Sequence, residues 1–546
     1  MNQPGGFNLI DDPWISVLDD GGDTHEVSIL GLLEQAPRLA RIVGDVETQA
    51  FAITRLLLAF VHRALDGPQD EEDWHELWEA DELPLEQIRR YADRVRHRFE
   101  LFDPDAPFFQ VAGLQAQSNE VSGLEKIIAD IPNGTPFFTT RSAVAIGRIS
   151  PAEAARWLVH VHAFDPAGIK TGVVGDPTAK GGRGYGSSVG WSGQVGGVVP
   201  NGANLRETLV LNLIARSAAA YLQIGGDTDL PPWERDPDGP AWSDRPARGA
   251  IDVYTWQTRR VRLVGDRDGV TGVVLAKGDV IESRNLHGVD PHSAWRYSEP
   301  QSKRHKTVVY MPFTHDPNRS VWRGLSAFLP ATASRRTSGR EPQPFLAPGV
   351  LQWIADLAEQ GYLPDGYQPR TRIYGVQYGT QNAVYGDIFT DELPLSVKVL
   401  RDDHPEAGRV AVAAIEDAEA AASELYKLAE NVAQAGGAEP NTGAGDTARE
   451  QLYAALDSPY RGFLARLLPD ADLQLARTDW SRRVYSSART IAHRIVTNAP
   501  PAAWKGREIR GRLINVGLAE TWFIAALRRQ LPPQVFQMDQ AEEIPA

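Results

Sequence analysis

The sequence predicts an α+β fold: a large mixed α/β N-terminal domain with long loops over residues 1–400, a C-terminal four-helix bundle over 401–535, and a flexible tail over 536–546. Two observations carry this reading. From about Pro405 the composition shifts to Ala, Leu, Glu and Arg in four amphipathic blocks with short breaks, the pattern of a helical bundle. Before that, about Leu101 to Thr390 resists any periodic reading and is rich in Gly, Pro, Asn and aromatic residues, which suits a mixed domain whose long loops carry function.

In chain order, Phe7 to Leu18 reads as a short strand on either side of a bend at Pro13, and Asp19-Asp20-Gly21-Gly22 as the turn of a β-hairpin. Asp45 then caps a helix whose positions Phe51, Ile53, Leu56, Leu57, Leu58, Phe60, Val61 and Leu65 make it mostly buried. The acidic stretch that follows places Trp74, Leu77 and Trp78 at helical spacing, as in a surface helix with one apolar stripe. Ser150-Pro151-Ala152-Glu153 opens a further helix. Strand-like pieces are Val253 to Trp256, Arg260 to Val264, Val270 to Leu275 and Thr307 to Tyr310. The four helical blocks run roughly from Pro405 to Gln434, Thr447 to Leu468, Ala471 to Val496 and Gly506 to Leu531.

Composition narrows the chemistry. At 546 residues the chain can bury a large core, and 42% apolar with 23% charged residues is ordinary for a soluble globular protein. With no cysteine it can hold no disulfide, thiol nucleophile, iron–sulfur cluster or cysteine zinc ribbon. The first residues lack the features of a signal peptide and no apolar run is long enough to span a bilayer, so the expectation is a cytoplasmic protein without a membrane partner.

The net charge of −15 hides two basic islands. Arg296 to Arg340 holds nine Lys or Arg against Glu299 and Asp316, and Arg477 to Arg529 holds eleven against Asp479, Glu508 and Glu520. Asp66 to Glu86, in contrast, holds ten carboxylates and no Lys or Arg. Such segregation lets two surfaces meet a polyanion while a third repels it; the same islands would also be ordinary solvated helix faces and loops.

No Walker loop, nucleophile elbow, His-Glu-x-x-His or kinase signature is present. His160 and His162 stand two apart on a helix and point to different sides, which disfavours a shared metal. His287, His292, His305 and His315, with Asp290, are irregularly spaced, and no metal or other cofactor is expected. Three loop features are more specific. Ala167 to Gly172 and Lys180 to Gly186 form a glycine-dense stretch, able to bring backbone close to another surface and with cations that suit phosphate, or a plain flexible surface loop. Ser302-Lys303-Arg304-His305-Lys306 reads as a cationic tip, or as a plain solvated charge run. Tyr374 to Ala383 reads as a turn presenting amides, or as a polar hairpin.

The order of these parts resembles a known family. An opening Asn8-Leu9-Ile10-Asp11-Asp12-Pro13-Trp14-Ile15, a glycine-rich middle, the stretch Asn204-Leu205-Arg206-Glu207-Thr208-Leu209-Val210-Leu211-Asn212-Leu213, an amide-bearing turn and four terminal helices look like the CasA large subunit of type I-E CRISPR Cascade, over nearly the whole chain. The resemblance implies a non-catalytic subunit of an RNA-guided complex. Such a subunit reads a protospacer-adjacent motif in double-stranded DNA from the minor-groove side, wedges the duplex open to start an R-loop, and recruits the helicase-nuclease.

Carried over, the family's glycine loop falls on Gly168 to Gly186, with Gly168, Lys170, Gly184 and Gly186 as motif readers. Its lysine finger falls on Lys303, with Arg304 and Arg296 as neighbouring candidates. Its wedge falls on Gln381, flanked by Thr380 and Asn382, and its guide-RNA and subunit loop on Asn133, Phe137, Phe138 and Arg141. The second basic island, with Arg482, Arg483, Arg489, Arg494, Lys505 and Arg507, would suit the displaced strand or flanking duplex phosphates. The implied partners are the other Cascade subunits, the guide RNA, target DNA and the helicase-nuclease. From residues alone, a carbohydrate- or nucleotide-acting hydrolase is the alternative, on 14 Trp and the acidic balance.

Overall fold

The structure, a computed structural model, describes residues 6–131, 146–329, 342–364, 366–401, 405–468, 470–509 and 511–536. Contacts divide it into two units. The first comprises Met1–Arg319, Thr337–Leu363 and Pro369–Glu392, and the second Ser320–Arg336, Pro364–Gln368 and Leu393–Ala546. Among the described residues no helix is long and apolar enough to cross a membrane. The fold is mixed helix and strand with a helical C-terminal region, the class the composition shift at Pro405 predicts.

The first unit opens on a three-stranded sheet in which Ile15–Asp19 lies between Thr24–Val27 and Leu39–Ile42. Among the described residues no strand precedes Pro13, and Asn8 makes an isolated bridge to Glu100. At its centre runs the helix Glu47–Leu65, buried from Thr48 to His62. Asp45 is not its cap: the flanking residue is Val46, and the Asp45 amide instead donates to Gln49 Oε1 at 2.9 Å. The helix packs beside Pro151–Phe164, which Ser150 does cap by accepting from the Glu153 amide.

A buried cation interrupts this apolar helix. Arg55, 1% exposed, donates to both oxygens of Asp290 at 3.0 and 2.9 Å, and Asp290 also accepts from Trp191 Nε1 and the His292 amide. Burial alone would raise the Asp290 carboxyl, and the Arg55 guanidinium overrides it, holding the group below its ordinary value. Asp290→Ala strands a buried guanidinium, so urea unfolding should show a loss of about 3–5 kcal/mol.

Sequence and structure part at further places in this unit, among them Thr307 to Tyr310, where strand begins only at Tyr310. Val253 to Trp256 is no strand; Ala250–Tyr254 is a short helix, because the carboxylate of Asp229 accepts from the amides of Ile251 and Asp252 and caps it from a distant position. Ser302 to Lys306 is no loop tip, since Glu299–His305 is helical. The hairpin Arg259–Asp266 with Gly269–Lys277 forms where the strand-like pieces Arg260 to Val264 and Val270 to Leu275 stand.

In the second unit Glu406–Ala435 is the central helix, packed against Ala444–Ala465, Leu473–Thr497 and Val516–Gln530. Its buried stripe is largely alanine, at 407, 411, 414, 418, 421 and 422, which lets neighbours approach closely enough to reach backbone. Tyr460 Oη donates to the Ala411 carbonyl at 2.9 Å and Trp480 Nε1 to that of Ala414 at 2.7 Å. Glu430 accepts from the amides of Asn441 and Gly445, closing the glycine-rich connection onto the next helix.

The fourth block differs from its prediction at its start. After the short helix Pro501–Lys505, Arg507–Ile509 pairs antiparallel with Arg512–Ile514, and helix begins only at Val516, where Asn515 accepts from the Leu518 amide. Gly506 and Gly511 have φ of +76° and +74°, and those left-handed positions break the helix that the Arg-rich composition suggests.

Candidate nucleic-acid interface

The glycine-dense stretch is a β-hairpin. Gly168–Thr171 pairs antiparallel with Arg183–Ser187, matching Gly168 to Ser187, Lys170 to Gly184 and Thr171 to Arg183. A second, tighter turn follows at Lys180-Gly181-Gly182-Arg183, where the Lys180 amide donates to the Arg183 carbonyl at 2.9 Å and the reverse bond is 3.2 Å. Both central glycines have positive φ, +58° and +74°, as a two-residue turn matched to strand twist requires. Lys180 and Arg183 are exposed at this tip, and Ile169, Tyr185 and Val174 are exposed apolar side chains on the same stretch, 57%, 48% and 55% accessible.

The predicted motif readers occupy different places on this hairpin. Gly168 is half-buried with φ +120°, and Gly186 is exposed with φ +71°. Gly184 is buried, facing the Thr171 carbonyl and the stem of Lys277, so no ligand backbone reaches it. Lys170 is not a free cation: its ammonium lies 2.5 Å from Asp165 Oδ2 and its side chain is 12% exposed. The free cations are Lys180 and Arg183, which flank the Gly-Gly pair; that Lys-Gly-Gly-Arg spacing was the signal for them.

The predicted wedge stands at the tip of a second hairpin, between Arg370–Tyr378 and Tyr385–Pro394, in a sheet completed by Gly197–Asn201. Thr380, Gln381 and Asn382 are all exposed. Gln381 (φ +56°, ψ +23°) and Asn382 (φ +56°) are both left-handed, and the turn is closed by amide bonds from Asn382 to Gly379 at 2.9 Å and from Ala383 to Thr380 at 3.2 Å. Asparagine tolerates that conformation; glutamine has no such excuse, and holding it there costs about 1–2 kcal/mol.

The two hairpins meet. The Ala167 amide donates to the Asn382 carbonyl at 2.8 Å, so the residue before Gly168 and the residue after Gln381 are tied together. The sequence separates them by more than two hundred residues, and the structure makes them one surface.

The remaining predicted residues are elsewhere. Lys303 and Arg304 are exposed in the last turn of Glu299–His305, where Lys303 pairs with Glu299 at 2.6 Å across one helical turn, a solvent-facing contact of little energetic consequence. Among the described residues no hydrogen bond or ion pair joins them to either hairpin, and Arg296 is exposed on the neighbouring strand Trp295–Tyr297. Asn133, Phe137, Phe138 and Arg141 lie outside the described residues.

In the bundle, Arg482 pairs with Asp479 at 2.9 Å, Arg489 reaches Tyr485 Oη at 3.3 Å, and Arg494 reaches Gln451 Oε1 at 3.3 Å. Arg483, Lys505 and Arg507 are exposed. Arg477 is structural, bonded to the buried Asp417 at 2.7 and 2.9 Å. Sequence reasoning passed over Trp504, 52% exposed beside Lys505, and Leu513, 53% exposed on the following hairpin.

Among the described residues no three His, Asp or Glu side chains gather as metal ligands. His160 shares a 2.8 Å hydrogen bond with Thr48, His162 contacts the Phe109 carbonyl at 2.9 Å, and His292 contacts Asn212 at 3.2 Å.

Comparison with known proteins places this arrangement. A profile of the CRISPR-associated protein Cse1 family matches residues 8–491. CasA/Cse1 of Thermus thermophilus is 32% identical over 497 residues, covering 86% of this chain and 89% of that protein. The crystal structure of Cse1 from Thermobifida fusca superposes with a TM-score of 0.88 at 43% identity, over 97% of this chain and 99% of that one. Cse1 from Acidimicrobium ferrooxidans gives 0.83 at 32% identity, over 98% and 99%. A chain of a CRISPR RNA-guided surveillance complex shares the fold, with a TM-score of 0.67 at 17% identity over 90% and 100%. The match runs through both units and takes in both hairpins and the first three long helices: this chain belongs to the CasA/Cse1 family of CRISPR-associated proteins.

Proposed function

We propose that the chain is the non-catalytic large subunit of a type I-E CRISPR surveillance complex, assembled with other Cascade subunits and a guide RNA. In this reading the joined hairpins meet the duplex beside the target from its minor-groove side. The minor groove offers a degenerate acceptor pattern, so backbone at Gly168 and Gly186 with the cations Lys180 and Arg183 recognises a loose set of motifs. Gln381 enters the stack, and unstacking a step costs a few kcal/mol, which the motif contacts offset before guide pairing begins. Sequence specificity then belongs to the guide. The exposed arginines of the bundle suit the displaced strand, and the helicase-nuclease is recruited afterwards.

The observation that carries this reading is the bond from Ala167 to Asn382, which sets an exposed, conformationally strained glutamine against a positive-φ glycine hairpin. The test is target-duplex binding by guide-loaded complex assembled with and without this chain, on DNA with and without the adjacent motif. Binding and strand opening should need both; indifference to omission of the chain removes the reading. Lys180→Gln with Arg183→Gln should also flatten the dependence of log affinity on log salt by about 1.8, the loss of two phosphate contacts. An unchanged slope would place the hairpin tip away from DNA.

A further inference from the structure

Behind the glycine hairpin the first unit encloses a cleft of about 270 Å3, lined by Glu125 to Ala129, Ile131, Asp165 to Thr171, Leu275 and Ala383 to Tyr385. Its polar end is built from one carboxylate and two cations. Asp165 Oδ2 accepts from Lys170 Nζ and from Arg259 Nε, each at 2.5 Å, and the three side chains are 5%, 12% and 1% exposed. Arg259 is otherwise occupied: its remaining donors reach the carbonyls of Thr258, Asp165, Pro166 and Ser188. Lys170 is not, because an ammonium has three N–H donors and Asp165 is the acceptor described for it.

Among the described residues the group is therefore short of one negative charge. A buried ion pair balances only when charges match one to one, and a second buried cation on the same carboxylate is a cost the fold has no structural need to bear. Burial pulls the Lys170 ammonium below its ordinary pKa, with Asp165 working against that and Arg259 adding to it. The other charges lining the cleft, Glu125 and Lys126, cancel. The cleft rim is the Gln381 turn itself, through Ala383 and the Ala167 to Asn382 bond.

We propose that this cleft is an anion site in which Lys170, backed by Arg259 and Asp165, takes one backbone phosphate of a nucleic-acid strand led past the Gln381 turn. The phosphate supplies the missing acceptor oxygens and the missing charge. Its source in a DNA strand rests on the proposed function above; the anion site itself does not.

The test is Lys170→Met in the full-length chain. It leaves Asp165 and Arg259 as a matched pair, so thermal stability in phosphate-free buffer should be unchanged or higher than wild type. Inorganic phosphate should raise the melting temperature of the wild type and of Gln381→Ala, but not of Lys170→Met. A short labelled oligothymidylate at low salt should bind Lys170→Met several-fold more weakly, with a salt slope shallower by about 0.7, one single-strand phosphate.

Loss of stability or failure to fold in Lys170→Met would show Lys170 to be a required partner of Asp165 and overturn the proposal. Equal phosphate stabilisation of both proteins would overturn it too. Phosphate stabilisation with unchanged oligonucleotide binding would overturn the strand as the ligand. Because Gln381→Ala keeps the anion site, loss of duplex opening in that variant alone separates the wedge reading from this one.

Discussion

Replacing Gln381 by alanine in the guide-loaded complex should lower strand opening on motif-bearing DNA about ten- to a hundredfold while leaving docking within about threefold of wild type. The expected size follows from what a wedge does. It substitutes for one base-stacking step, worth a few kcal/mol, and a truncated side chain forfeits part of that. In the proposed function docking rests on backbone and on Lys180 and Arg183, which the substitution leaves in place. A second variant makes the argument sharper. Gln381 has φ +56°, a conformation glycine adopts without penalty, so Gln381→Gly should raise stability by about 1 kcal/mol in urea unfolding. The same variant should open DNA no better than alanine. A chain that becomes more stable as it loses opening would show strain held for function. If both variants open DNA as wild type does, Gln381 is not the wedge.

How much of this could be read from the sequence depends on how local each cause is. The helix Glu47–Leu65 was legible because its own apolar positions bury it, and Ser150 was legible as a cap because the hydroxyl and the amide it serves are three residues apart. Causes that come from far along the chain were not. Val253 and Tyr254 have strand-forming side chains, and Asp229 makes them helical from outside the segment. Arg55 looks like an error in an apolar helix until Asp290 is found beside it.

The candidate site divides the same way. Its glycines and the amide turn stood out as local oddities of composition. That Gly184 and Lys170 face inward, while Lys180 and Arg183 face out, depends on the register of Gly168–Thr171 with Arg183–Ser187, which no single segment specifies. Nor does any segment specify that Ala167 will bond to Asn382. The fourth bundle block failed for a different reason: its Arg-rich composition favours helix, but Gly506 and Gly511 are spaced for a hairpin and Asn515 restarts the helix, punctuation that composition averages away.

Acidification should unfold the first unit over a narrow range near pH 5, while the helices of the second persist. Burial holds five histidines of the first unit at about 4 or below, His62, His160 and His292 at about 3 and His162 and His315 at about 4, and it lowers His287 as well. In the unfolded chain each returns to about 6.5. Between pH 4 and 6.5 the unfolded state therefore binds about five more protons than the folded one, so stability is present above the unfolded value and lost as pH falls. Asp229 works the other way. Burial lifts it to about 6, so in the folded state it takes up a proton before its unfolded counterpart does, and the net difference is about four. At about 1.4 kcal/mol per proton per pH unit this is a slope of roughly 5 kcal/mol per unit, enough to exhaust an ordinary domain's stability within one to three units. Among the described residues the second unit has one histidine, His493, and it is exposed. Hydrogen exchange at stepped pH should then show Glu47–Leu65 losing protection while Glu406–Ala435 keeps it. Substituting His160, edge-on to Trp157 and stacked on Phe164, by phenylalanine should lower the measured proton uptake on unfolding by about one. An unfolding curve flat from pH 7 to 4.5 would mean that these imidazoles are protonated in the native state, and that the packing around them is looser than their burial implies.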